Sequence, residues 1–123
     1  MNKEVIFQEI ESLIRTLDFI QEEQSFIKSK ISSLLDNLVL NEVIVWAEAL
    51  SQVILNRETA IQLLKSDILT LRNQVKAKRA INNIIDPSSA SDFKKYKQQV
   101  GYIEAEFFTW KQNFNEKFEM EIY

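Results

Sequence analysis

The sequence predicts an all-α protein, an antiparallel up-down-up bundle of three long helices. Three observations predict it. Apolar residues recur at alternating spacings of four and three over most of the chain. The 123 residues include one Gly and one Pro, far fewer than the turns of a β-rich fold need. And the first two apolar stretches pair with each other, residue for residue, as an antiparallel hairpin must.

The first helix is predicted over 3–38. Its seam is Ile6, Ile10, Leu13, Leu17, Ile20, Gln24, Ile27, Ile31, Leu34 and Leu38. This is a heptad repeat with Ile10, Leu17, Gln24, Ile31 and Leu38 at a and the others at d. Asn2 is placed to cap it. The second helix, predicted over 42–84, continues the pattern through Val43, Ala47, Leu50, Ile54, Arg57, Ile61, Leu64, Ile68, Leu71, Val75 and Lys78. Asn41 can cap it, with Leu40 and Val45 as a hydrophobic staple.

In an antiparallel pair an a residue faces a d residue, and the paired numbers share one total. From Leu38 with Val43 to Ile6 with Val75, ten pairs all total 81, and each couples an a with a d. This predicts a long hairpin that reverses near Leu40 and Asn41. An alternative breaks the second helix at Asn56–Thr59 and gives four helices. The unbroken register through Arg57 favours three.

Pro87 marks the second reversal. It is costly inside a helix but suits its first turn. Asp86 is one candidate cap, and Ser89 with Asp92 is another. The third helix, predicted over 88–121, carries Phe93, Tyr96, Val100, Ile103, Phe107, Trp110 and Phe114 at a/d spacing. Against the second helix, totals of 171 and 178 both give apolar layers. A three-helix core also needs apolar flanks. Phe7, Ile14, Leu35, Trp46, Val53, Ala60 and Phe118 supply them. The whole chain, 1–123, reads as one helical domain.

Composition narrows function. The chain has no Cys and no His. Thiolate metal sites, disulfides and a cysteine nucleophile are therefore excluded, and the usual general base near neutral pH is missing. Helical di-iron sites use histidines beside their carboxylates. Glu104, Glu106, Glu116 and Glu119 lie outside the seam and read as a solvated face. Gly101, the only glycine, cannot form a phosphate loop. No cofactor or metal is implied, and a non-enzyme is expected. There is no apolar run of about 20 residues to cross a membrane and no secretory signal at the start, so a cytoplasmic location is the default expectation. The net charge of −3 argues against bulk nucleic-acid binding.

Three features remain as candidate sites. Gln24 and Arg57 are the only polar residues in the ten hairpin pairs, and they face each other. They read as a buried polar layer that disfavours slipped pairings, with Glu23, Glu58 or Glu121 as a counter-ion for Arg57. Lys76, Lys78, Arg79, Lys94, Lys95 and Lys97 gather at one end as a candidate anion-binding surface. Glu116, Glu119, Glu121, Asp36, Glu42 and Glu48 gather toward the other. Finally, apolar residues lie off the seam: Val5, Phe19 and Phe26 on helix 1, Leu55, Leu63 and Leu69 on helix 2, Tyr102 and Phe108 on helix 3. Phe19 and Phe26, then Tyr102 and Phe108, are the candidate partner-binding residues. The function expected is helix docking, either as a homodimer or with a partner protein. Binding an anionic partner through the basic end is the alternative.

Overall fold

The computed structural model describes residues 2–36, 41–77 and 84–122, with side chains through Glu119 in the last stretch. It is all-α, with α1 Lys3–Asp36, α2 Asn41–Ala77 and α3 Pro87–Ile122. The four-helix alternative is excluded, because α2 runs unbroken through Asn56–Thr59. The predicted end of the second helix at 84 is too late: Ile84 forms an isolated backbone bridge to Asn2, and the helix-3 cap follows directly. Leu38, Leu40 and Lys78 lie outside the described residues, and with them the Leu38–Val43 pair and the Leu40–Val45 staple.

Capping explains where the helices start. The Glu4 N–H donates to Asn2 Oδ1 at 2.8 Å, and the Ile6 N–H to the Asn2 carbonyl at 3.1 Å. At α3 the Ser89 N–H donates to Asp86 Oδ1 at 2.8 Å and the Ala90 N–H to the Asp86 carbonyl at 3.0 Å. Asp86 is thus the cap, with Pro87 in the first turn, where its missing N–H costs nothing. Ser89 is itself buried.

The hairpin register is as the seam dictates. Ile10 and Leu71, Leu17 and Leu64, Ile20 and Ile61, and Ile27 and Ile54 are all buried. Beside the seam Arg72 reaches Glu11 at 3.1 Å, and Lys65 pairs with Asp18. Those pairs are one heptad apart on both helices, in opposite directions, as a two-helix hairpin requires. Such partly exposed pairs each contribute up to about 1 kcal/mol, so burial of the Ile and Leu seam carries the stability.

α3 returns parallel to α1. Lys97 pairs with Glu9 at 3.1 Å and Lys111 with Glu23 at 3.2 Å, again a constant offset. Its core residues are aromatic: Phe93, Phe107 and Phe114 are buried, and Trp110 bridges both core clusters. Trp46, Trp110, Phe114 and Phe118 form a run of ring contacts with centroids 5.5–6.2 Å apart.

Against α2, the register differs from both sequence alternatives. Arg57 pairs with Glu106, and Trp46 stacks on Phe114 at 5.9 Å. These contacts place apolar layers such as Leu50 with Phe114 near a total of 164, one heptad below 171. That register sets Glu106 beside Arg57, where 171 would offer Asn113. An apolar seam repeats every heptad and cannot choose among such slips; a charged partner can.

The flanking residues divide. Ile14 is buried and Phe7, Leu35, Trp46 and Phe118 are half-buried, but Val53 and Ala60, expected inside, are exposed. They lie on the α3 side of α2, where no third layer covers them. Gly101 is exposed mid-helix, and a Cβ there would meet nothing within 4 Å. It is a weak point in helix propensity rather than a close-packing point.

Candidate docking surfaces

The polar layer is split between two partners. Gln24 is 0% exposed, and neither its amide oxygen nor its amide nitrogen has a hydrogen-bond partner. Arg57 does not turn to it. Its guanidinium leaves the layer for Glu106 on α3 and lies 5.7 Å from the centre of the Trp110 ring. The counter-ion expected from Glu23 or Glu58 is therefore corrected to Glu106. Glu23 pairs with Lys111 at 3.2 Å and Glu58 with Lys28 at 3.3 Å. Glu121 lies where side chains are not described. Trp110 Nε1 is also buried without a partner.

The basic end is partly neutralised. Lys97 is held by Glu9 at 3.1 Å. Lys76, Lys94 and Lys95 are exposed, while Lys78 and Arg79 lie outside the described residues. Burial, and then the negative charges of Asp67 and Asp92, raise the Tyr96 phenol above its ordinary value. Acidic groups are thus interleaved with this lysine cluster. At the other end Asp36, Glu42, Glu48, Glu116 and Glu119 are exposed. Among the described residues no group of three or more His, Cys, Asp or Glu side chains could hold a metal ion. Nor is any helix long and apolar enough to cross a membrane.

The off-seam apolar residues are on the surface, apart from Leu69, which packs against the core. They fall on two different faces. Phe19 and Phe26, 47% and 59% exposed, flank Glu23 by about one turn on either side, and Phe108, 53% exposed, precedes its partner Lys111. This puts all three along the outer α1–α3 edge. That edge is interrupted by charge: besides the Glu23–Lys111 pair, Lys30 lies 4.6 Å from the Phe26 ring centre and 5.6 Å from that of Phe118.

Tyr102, 71% exposed, belongs instead to a groove between α2 and α3. Three adjoining pockets lie along it. The first is lined by Trp46, Ala49, Val53 and Lys117 and shares Trp110 and Asn113 with the second. The second holds Arg57 and Glu106 and shares Tyr102 with the third. The third is lined by Ala60, Leu63, Asp67 and Lys95. Leu63 is 65% exposed. Ala49, Ala60 and Ala105 keep the walls low, so that a helix could approach closely. Of the side chains that line this groove, the charged ones are Arg57, Glu106, Asp67, Lys95 and Lys117. In the sequence Tyr102 and Leu63 stand out as off-seam. The sequence cannot join them to Val53 and Ala60, because that needs the α2–α3 register.

Comparison with known proteins gives no match: no family model, no curated protein and no solved structure matches the chain.

Proposed function

We propose that this protein is a non-catalytic interaction module that works by docking a helix against the outer α2–α3 face. The observation that carries this is the row of adjoining pockets from Trp46 to Asp67, walled by alanines and flanked by exposed Val53, Leu63 and Tyr102. A bundle of three helices leaves such a face open, and a further helix seated there converts it to four-helix packing. Exposed apolar side chains along such a face, with charged residues at intervals, mark a contact surface. The strip of Phe19, Phe26 and Phe108 is a second apolar edge, crossed by Lys30 and the Glu23–Lys111 pair as the groove is by Arg57 and Glu106.

The test is photo-cross-linking in cells that express the full chain, with a photoreactive residue at Leu63 or at Tyr102. Glu22, exposed on α1 away from both neighbouring helices, is the control position. The expected result is a discrete adduct from positions 63 and 102 and none from 22. Equal labelling at all three, or none at 63 and 102, contradicts the reading.

A further inference from the structure

We propose that the occupant of this groove is a second copy of the chain, related by a two-fold axis running along the groove. The inference rests on the docking reading above and names its partner. Its basis is the way charge is distributed across the two walls. At the middle of the groove the α2 wall carries Arg57 and the α3 wall carries Glu106, and the two are paired within one chain. Toward one end the α2 wall carries Asp67 and the α3 wall Lys95, with the signs exchanged. At the other end Trp46 on α2 lies against Lys117 on α3, with the ammonium 5.9 Å from the ring centre.

A two-fold axis along the groove lays the α2 wall of one copy on the α3 wall of the other and keeps each residue at its own level. Arg57 then meets Glu106 of the second copy, Asp67 meets Lys95 of the second copy, and Trp46 meets Lys117 of the second copy. The Arg57–Glu106 and Trp46–Lys117 contacts made across the groove within one chain are repeated between chains, Asp67 is set opposite Lys95, and none of the charged groove residues meets a like charge. This is the self-complementarity that an isologous interface demands. Between these levels Leu63 of each copy is brought against Tyr102 of the other and Val53 against the facing α3 wall, and Ala49, Ala60 and Ala105 permit the close approach.

The size is adequate. At about 1.5 Å per residue the groove is roughly 30 Å long, and two helices side by side are about 20 Å across. That gives on the order of 600–700 Å² per copy, or about 1,300 Å² in all, at the lower end of the range for specific interfaces. The product is a layer of four helices, α2 and α3 from each copy, with each α1 outside.

Two measurements on the full chain test this. Light scattering should give twice the chain mass of 14.5 kDa. The sample should be at about 100 μM, above the micromolar range expected of an interface this small. The second uses charge exchange. Arg57→Glu with Glu106→Arg, and separately Asp67→Lys with Lys95→Asp, each preserve the pairing within a chain and within a dimer of like chains. A mixed dimer of exchanged and wild-type chains sets like charges opposite each other twice. Native mass spectrometry of folded, mixed samples should show mixed dimers reduced roughly tenfold or more below their statistical share. The second exchange lies at exposed positions and leaves the core untouched. A mass of 14.5 kDa at that concentration overturns the proposal, as do mixed dimers at their statistical share. A monomer that still cross-links through position 102 to a different protein overturns self-pairing and leaves helix docking in place. A monomer with no cross-link overturns both.

Discussion

Phe107→Ala is expected to cost about 3–5 kcal/mol, a large part of the roughly 5–15 kcal/mol that holds a domain of this size. Phe107 is fully buried where all three helices meet. Its ring lies 5.9 Å from that of Trp110 and 6.0 Å from that of Phe108, and Lys111 sits 6.0 Å from its centre. Truncation removes the ring and leaves a cavity that rigid helices close poorly. The α1–α2 seam does not depend on it in the same way, because Ile and Leu side chains interlock directly between those helices. Hydrogen exchange should therefore show α3 amides losing protection first, with α1 and α2 retaining theirs. A urea titration that registers a loss below about 1 kcal/mol would show that the aromatic seam does not hold α3 in place.

The second large effect has the opposite sign. Gln24→Leu is expected to stabilise the protein by about 1–3 kcal/mol. The reason is that the Gln24 amide is fully buried and makes no hydrogen bond that the substitution would break. Leu is of similar volume and matches the Ile and Leu residues above and below. Arg57 is unaffected, because its partner is Glu106. A rise in the thermal midpoint of several degrees checks this. A fall would mean that Gln24 forms a polar contact essential to the layer. Gln24 thus does not act as the register device expected of it, because its amide is left without a partner in the native pairing itself.

The difference between these two positions shows how far sequence reasoning reached. The hairpin was legible because two heptad seams constrain each other: Ile10 selects Leu71, and every other pair follows. The caps at Asn2 and Asp86 were legible because capping is local chemistry. The register of α3 was not. Its aromatic seam fits α2 at several heptad slips, and the observed one sets Arg57 beside Glu106, which lies outside the apolar seam and has no apolar pattern to mark it. The candidate site followed the same line. Tyr102 and Leu63 stood out as apolar residues off the seam. A symmetric three-helix bundle would bury Val53 and Ala60, and here both are exposed. The groove exists because α3 stands off from α2 on large aromatic side chains, leaving these residues outside, and only the three-dimensional register brings them into one strip. Phe19, Phe26 and Phe108 were grouped with Tyr102 by apolar character alone, and the structure puts them on a different edge.

The central claim is that the protein works through its outer α2–α3 face. Light scattering on two paired variants tests it most directly. Leu63→Glu with Tyr102→Glu places charge on that face, and Phe19→Glu with Phe26→Glu places it on the α1–α3 edge. All four residues are exposed, so both variants should keep the helical content and, to within about 0.5 kcal/mol per substitution, the stability of the wild type. The prediction is that the first pair reduces the assembly to a single chain of 14.5 kDa, while the second leaves it at twice that mass. An assembly that survives the first pair and is lost with the second would contradict the account.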